Sequence, residues 1–394
     1  MGNARTSDAD ATLVRSLDLR DADRVDAGQE SLLVVVKDCI DIAGYVTGCG
    51  SAAFATAAPA ASHADVVNAV LASGCRIVGK ANMHELAYGM TGVNAVNGTP
   101  VNPIWPDLIP GGSSSGSAVA VAAGLCDFAI GTDTGGSVRQ PAICCGVYGI
   151  KPTYGRISRS GCSPAESSLD CIGVFARTAP MLTQAMAAVD PSFTPEILVS
   201  APKFARIKVS MDEAVAEQLV LGLMEGMPIV EVMCLEHMEA AFAAGMTIIG
   251  AETAAAFGHL LDDDAPLGED IRARLSAARQ ITPDQVAQAE TVRAAFTTEV
   301  DRILETVDAI VTPALPVTPP TLQAAKDPQT ILPLTRFLRP FNLSGHPAIV
   351  LPCSPSAGSL PMGVQIIGRK GDDARLCAIA EWMAQTMPVF RKEG

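Results

Sequence analysis

The chain has 394 residues, of which 48% are apolar, which excludes an intrinsically disordered protein and allows one large domain or two ordinary ones. A formal net charge of −14 without a clustered basic stretch excludes a nucleic-acid-binding surface, so no nucleic-acid partner is expected. The eleven cysteines show no C-x-x-C spacing, so neither a metal site nor a disulfide framework is expected, and reduced thiols favour a cytoplasmic location.

The first part of the chain predicts a polar segment followed by a strand, a helix and a second strand. Residues 1–30 are rich in Asp and Arg and predict a surface segment. Neither they nor any later apolar run suits a membrane span, so no membrane partner is expected. Residues 32–36 form a β-branched apolar run, which predicts a buried strand with Lys37 at its end. Apolar spacing predicts a helix over residues 66–71 before a strand over 76–78, an order typical of parallel pairing.

The remaining elements continue an alternation of helices and strands. A Pro- and Gly-rich loop over residues 97–112 precedes a predicted helix over 117–123 and a strand over 128–130. The later predicted helices cover residues 211–227, 236–259 and 283–306, and the later strands cover 308–311 and 348–351. The pattern predicts the α/β class, with residues 31–394 as a single domain in which residues 190–300 are an embedded helical cap.

Two short motifs point to other hydrolases, but both lack the context that their chemistry requires. Residues 133–135 read D-T-G, the aspartic protease tripeptide, which needs a second carboxylate to share a proton. No second D-T-G or D-S-G occurs in the chain. Residues 112–116 read G-S-S-S-G and satisfy the G-x-S-x-G pattern, which must directly follow a strand. Here the motif follows a Pro-rich loop, so a Ser-His-Asp triad is not favoured.

A third interpretation combines Lys37 with two serine-containing loops. Acyl transfer needs a nucleophilic oxygen, a base that removes its proton, and donors for the oxyanion. A lysine after a buried strand can be this base because burial disfavours its charged form, and an intervening serine can relay the proton. Gly135 and Gly136 let successive N–H groups converge beside Ser137. Taken singly, residues 113–115 also fit a helix N-cap, and Lys37 also fits an exposed strand end.

Three segments together resemble the amidase signature family of serine hydrolases. They are V-K-D at residues 36–38, P-G-G-S-S-S-G-S-A at 110–118 and G-T-D-T-G-G-S-V-R-Q-P-A at 131–142. The resemblance continues in residues 80–83, 149–156, 340–348 and 361–365. It implies the amidase signature fold, a mixed, mostly parallel twisted β-sheet with helices on both faces. Within the family, the loop resembles that of the A subunit of glutamyl-tRNA amidotransferases, and the brevity of the chain is similar to that of malonamidase.

The resemblance implies a Ser-Ser-Lys triad in place of Ser-His-Asp. Ser137 matches the nucleophile that becomes the acyl-ester, Ser113 the bridging residue held by a cis peptide, and Lys37 the general base. Ser114 matches a neighbour that hydrogen-bonds to the triad.

The loop around Ser137 is expected to stabilise the charge that develops on the amide oxygen. The expected oxyanion donors are the backbone N–H groups of Thr134, Gly135, Gly136 and Ser137. A Cβ at position 136 is expected to distort this arrangement. Asp133 and Arg139 flank the loop, and we expect them to hold it through charge-assisted hydrogen bonds rather than to contact the substrate.

The implied function is a serine amidohydrolase that cleaves a small amide and releases ammonia or an amine. The short middle region favours a small-molecule amide over a long acyl chain, and neither cofactor nor metal is expected. The short segment before Lys37 leaves a homodimer open. Two alternatives remain: a glutaminase (A) subunit of an amidotransferase complex, and a non-catalytic scaffold of the same fold.

Overall fold

The computed structural model describes residues 11–21, 31–213, 215, 227–354 and 359–390, and within them eleven strands form one sheet. The strands are β1 (Leu13–Leu19), β2 (Leu33–Lys37), β3 (Arg76–Ala81), β4 (Phe128–Asp133), β5 (Tyr148–Lys151), β6 (Cys171–Ala176), β7 (Phe204–Ile207), β8 (Ile229–Met233), β9 (Ala309–Pro313), β10 (Ala348–Pro352) and β11 (Gly363–Ile367). Their order across the sheet is β1-β3-β2-β4-β6-β5-β10-β11-β9-β7-β8.

The described α-helices cover this sheet. They are α1 (Asp65–Ala72), α2 (Ser115–Ala122), α3 (Arg139–Cys144), α4 (Ala179–Val189), α5 (Met238–Phe257), α6 (His259–Asp262), α7 (Glu269–Ala278), α8 (Pro283–Leu304), α9 (Pro328–Ile331), α10 (Arg339–Leu343) and α11 (Asp373–Thr386). In strand β2, Val34 and Val36 pack into one apolar cluster and Val35 into another, so both faces of the sheet are covered. This burial on both faces explains why β2 is a continuous apolar run and why Lys37, its last residue, is buried.

The expected α/β class with a mixed sheet is confirmed, but parallel pairing does not prevail in the described residues. Strand β2 lies parallel to β3 and β4, and β7 lies parallel to β8 and β9. The other neighbouring pairs are antiparallel. Parallel neighbours need a crossover such as β2-α1-β3, whereas β5 and β6 follow each other without an α-helix between them and pair antiparallel.

The structure corrects two expectations about chain organisation and leaves a third untested. Within the polar N-terminal segment, Leu13–Leu19 is an edge strand that pairs with β3. The 190–300 region is not purely a helical cap, because β7 and β8 extend the sheet from within it. The helix expected over 211–227 falls largely outside the described residues.

Helix α5 is the one helix in the described ranges whose length and apolar composition would allow it to cross a membrane. This property is weak evidence for a span, since core helices of other proteins share it. Here α5 buries Ala241, Phe242, Gly245 and Ile248 within the protein. All eleven cysteines are free thiols.

Candidate active site

Lys37 and Ser113 form the centre of the candidate site. The Lys37 Nζ donates a hydrogen bond to Ser113 Oγ at 2.8 Å and another to Thr132 Oγ1 at 2.8 Å. Lys37 and Ser113 are both fully buried, so Lys37 is not the exposed strand end that its position also allowed. The Gly112–Ser113 peptide bond is cis, as the resemblance implies. The Gly112 N–H donates to Gln140 Oε1 at 2.8 Å, which ties this segment to α3.

Within the described residues, no carboxylate forms an ion pair with the Lys37 side chain. The adjacent carboxylate, Asp38, is paired instead with Lys80, whose Nζ lies 3.2 Å from Asp38 Oδ1. Burial raises the pKa of the Asp38 carboxyl even though Lys80 favours its charged form. The hydroxyl groups of Ser113 and Thr132 are therefore the polar partners of the Lys37 amine.

Ser114 links the two serine loops. Its N–H donates to the carbonyl oxygen of Ser137 at 3.2 Å, and its hydroxyl donates to the carbonyl oxygen of Thr132 at 3.2 Å. Although Ser114 is the N-cap residue of α2, its side chain makes no capping hydrogen bond. The helix-cap interpretation of residues 113–115 therefore does not describe these hydroxyls, and the Ser115 hydroxyl has no hydrogen-bond partner at all.

The loop that follows β4 is organised by the Asp133 carboxylate. Its oxygens accept hydrogen bonds from the backbone N–H groups of Gly136 at 2.7 Å, Val138 at 3.1 Å and Arg139 at 3.2 Å. The Gly136 N–H is therefore not an oxyanion donor, because the carboxylate inside the loop already holds it. Within the described residues, the N–H groups of Thr134, Gly135 and Ser137 donate to no protein acceptor. All three remain candidate oxyanion donors.

Arg139 closes the same loop from the other side. Its guanidinium forms an ion pair with Asp133, with Nη2 2.9 Å from Oδ1 and Nε 3.0 Å from Oδ2. The remaining donors reach Leu338 O, Gln365 Oε1 and Asn342 Oδ1, so all five guanidinium N–H groups are used. Burial alone would raise the pKa of Asp133, but Arg139 and Asn342 hold it well below its usual value. Both side chains are fully buried, so they position the loop and leave substrate contact to other residues.

Two glycines give this loop its shape. Gly136 has a φ of +115°, which L side chains rarely adopt, and a Cβ there would approach Leu338 Cδ1 at 3.0 Å. A Cβ at Gly135 would lie 2.9 Å from Arg339 Nε and 2.9 Å from Ile249 Cδ1. The expectation that position 136 tolerates no Cβ agrees with this geometry.

Ser137 faces a cavity of 270 Å³. Ser137 and Thr134 are partly exposed within a stretch that is otherwise buried, and both line this cavity together with Gly135. The Thr134 hydroxyl donates to Asp170 Oδ1 at 2.9 Å. The far wall comes from the loop around Tyr88, from helices α5 and α7, and from residues 328–339. The structure thus brings Lys37, Ser113 and the Ser137 loop to one end of the sheet beside an open cavity.

Thr132 is a site residue that the sequence reasoning missed. It lies inside the quoted loop motif, but no spacing rule distinguishes it from its neighbours; only the approach of β2 to β4 places its hydroxyl on Lys37. The downstream His346 lies elsewhere, bonded through Nδ1 to Ser344 and through Nε2 to Asp301. Burial lowers the pKa of His346 to about 4, so this histidine is neutral near pH 7, and it belongs to a separate cluster in which Asp301 is half exposed.

Similarity to known proteins shows the family of the chain. The chain matches the Amidase family model over residues 14–219 and 225–377. The A subunit of the glutamyl-tRNA(Gln) amidotransferase of Synechococcus sp. (strain WH7803) is 31% identical, over 94% of this chain and 88% of its own length. A fatty acid amide hydrolase of Medicago truncatula is 31% identical, over 94% of this chain and 68% of its own length. A crystal structure of an amidase is similar with a TM-score of 0.83 at 29% identity, covering 90% of this chain and 84% of that one. The chain therefore belongs to the amidase signature family.

Proposed function

We propose that this protein is a serine amidohydrolase that cleaves the C–N bond of a small amide through an acyl-enzyme on Ser137. Membership of the amidase family supports amide hydrolysis as the chemistry. The observation that carries the assignment of residues is the 2.8 Å hydrogen bond between Lys37 Nζ and Ser113 Oγ. It joins a buried amine without a carboxylate partner to a hydroxyl next to the Ser137 loop, which supports the Lys37–Ser113 step of a proton relay.

In the proposed first step, neutral Lys37 accepts the proton of Ser113 while Ser113 accepts the proton of Ser137. The Ser137 oxygen then forms a bond to the amide carbon, and the carbonyl oxygen gains negative charge. The N–H groups of Thr134, Gly135 and Ser137 stabilise this charge; loss of one such donor typically costs ~2.7 to 4 kcal/mol of barrier. As the C–N bond breaks, the relay returns the proton to the leaving nitrogen, which departs as ammonia or an amine.

The second half of the cycle removes the acyl group. A water molecule gives one proton to the relay and attacks the ester carbon, and the bond between that carbon and Ser137 Oγ breaks. Ser137 recovers its proton, and the carboxylic acid leaves. The cavity of 270 Å³ beside Ser137 supports a small acyl group over a long chain.

A serine-directed fluorophosphonate probe tests the identity of the nucleophile. We expect the probe to label the wild-type protein and Ser115→Ala, and to leave Ser137→Ala unlabelled. Ser115→Ala is a matched control because Ser115 is the first residue of α2, and its buried hydroxyl has no hydrogen-bond partner within the described residues. Mass spectrometry of the labelled peptide checks the site, and undiminished labelling of Ser137→Ala would show that another serine is the nucleophile.

A second candidate function is the glutaminase component of an amidotransferase, favoured by the similarity to the A subunit of such an enzyme over 94% of this chain. Ammonia release from a panel of small amides separates the two. Turnover by the isolated chain supports the stand-alone amidase. Glutamine hydrolysis that begins only when a partner protein is added supports the amidotransferase component.

A further inference from the structure

Arg339 places a buried positive charge on the wall of the cavity that contains Ser137. It begins helix α10, is 7% exposed and lines this cavity. Its Nε lies 2.9 Å from the position that a Cβ of Gly135 would take. The guanidinium therefore packs against the loop that precedes Ser137.

Two nitrogens of this guanidinium are without partners. Arg339 Nε and Nη1 are buried and make no hydrogen bond, and within the described residues no carboxylate forms an ion pair with Arg339. Burial lowers the pKa of Arg339 to about 10, a value that still leaves the side chain charged near pH 7. The ring of Phe242, 4.9 Å from Arg339 Cζ, offers a cation–π contact but accepts no conventional hydrogen bond.

Arg139 is a buried arginine with a structural role, and its contacts differ from those of Arg339. Arg139 donates all five of its guanidinium N–H groups to protein oxygens and pairs with Asp133. A buried charge without such partners is costly, so its persistence at a cavity indicates an acceptor that arrives with the ligand.

The rest of the cavity has the same sign of charge. Arg274 also lines it and donates to the carbonyl oxygen of Tyr88 at 3.0 Å. Among the residues that line this cavity there is no Asp or Glu. Since the described lining of the cavity contains two arginines and no acidic side chain, the cavity attracts an anion.

We propose that Arg339 binds a carboxylate of the substrate, so that the preferred substrate is an amide carrying a carboxylate a few bonds from the scissile C–N bond. This inference rests on the proposed amide hydrolysis at Ser137. A carboxylate carries a full negative charge and therefore satisfies the unpartnered guanidinium donors of Arg339 better than a neutral amide oxygen does. The cavity of 270 Å³ has room for about nine water molecules at ~30 Å³ each. This space suits the half-amide of a short dicarboxylic acid.

The test compares two substrates of similar size that differ in charge: the half-amide of succinic acid and the neutral diamide of succinic acid. We expect the wild-type protein to prefer the half-amide. Arg339→Met is expected to lower kcat/KM for the half-amide by about 10- to 100-fold more than it lowers kcat/KM for the diamide. Arg336→Met is the matched control, because Arg336 lies three residues earlier and pairs at the surface with Glu239. It should preserve the preference.

A binding measurement keeps this inference separate from the hydrolytic function. We expect succinate to raise the Tm of the wild-type protein and of Arg336→Met, but not of Arg339→Met. Protection by succinate without hydrolysis of any amide would support the anion site and contradict the proposed function. Equal turnover of both substrates by the wild-type protein, or equal loss of both in Arg339→Met, would overturn the role of Arg339.

N-acetylglycine distinguishes the two ends of the substrate on which the carboxylate can lie. Its carboxylate is on the departing amine, whereas that of the half-amide stays on the acyl group. Arg339-dependent preference for the half-amide places the bound carboxylate on the acyl side, and the same preference for N-acetylglycine places it on the leaving group. Hydrolysis of both without dependence on Arg339 would contradict the inference.

Discussion

Replacement of Lys37 by methionine is expected to lower kcat/KM for amide hydrolysis by about 10²- to 10⁴-fold while the protein remains folded. Methionine has a similar length and is apolar, so it fills the buried space without introducing an unpaired polar group. It removes the proton acceptor of Ser113, whose Oγ lies 2.8 Å from the Lys37 Nζ. Steady-state kinetics together with circular dichroism and a melting curve provide the measurement.

Lys151→Met is a control for the loss of a buried amine as such. Lys151 is also fully buried, and its Nζ donates to the carbonyl oxygen of Pro152 at 2.8 Å rather than to a serine hydroxyl. We expect Lys151→Met to retain activity within about tenfold of wild type, a loss smaller than removal of a general base produces. A Lys37→Met protein that kept near-full activity would rule out the proton relay, even with Ser137 as the nucleophile.

Replacement of Arg139 by methionine is expected to lower the free energy of unfolding by about 3–5 kcal/mol. The substitution leaves the Asp133 carboxylate buried without its cation and leaves Gln365 and Asn342 with unpaired acceptors. Chemical denaturation near pH 7 measures the loss. The exposed pair Arg279 and Asp262 supplies the control: Arg279→Met should destabilise the protein far less than Arg139→Met, because solvent screens that pair.

The pH dependence of this loss identifies its cause. In the wild-type protein the pKa of Asp133 is held low, so its stabilising contribution is present above the unfolded value of about 4 and is lost as the pH falls below it. In Arg139→Met, burial without the cation favours the protonated carboxyl. The difference in stability between the two proteins should therefore be largest near pH 7 and shrink toward pH 4. A difference that did not change with pH would indicate lost packing rather than an unpaired charge.

The strands that the sequence revealed are those with long, uninterrupted apolar runs. Strand β2 has such a run, and so the position of Lys37 at its end could be predicted. Strands β5 and β6 contain glycine within four- and six-residue segments, and neither shows the alternation that marks a strand. Their pairing with each other and with β4 and β10 depends on contacts between distant segments, which local patterns do not contain.

In the candidate site, too, residues within local motifs could be predicted, whereas contacts between distant segments could not. Ser113, Ser137 and the two loop glycines lie in motifs that could be read directly. The role of Asp133 in holding the loop could be predicted, but not that its carboxylate takes the Gly136 N–H and so removes one expected oxyanion donor. Arg339 was missed because it lies far along the chain in a segment without a distinctive motif. Only the packing of α10 against the Gly135 loop brings it to the cavity.

The Asp133 carboxylate has a consequence for the timing of catalysis. The carboxylate accepts hydrogen bonds from the N–H groups of Gly136, Val138 and Arg139, which fixes the backbone around Ser137. The neighbouring N–H groups therefore already point in their final directions before an amide enters. Dipoles that are set in advance stabilise a growing charge without any rearrangement during bond making. Folding therefore orients these N–H groups, and reorienting them adds nothing to the barrier of the proposed reaction.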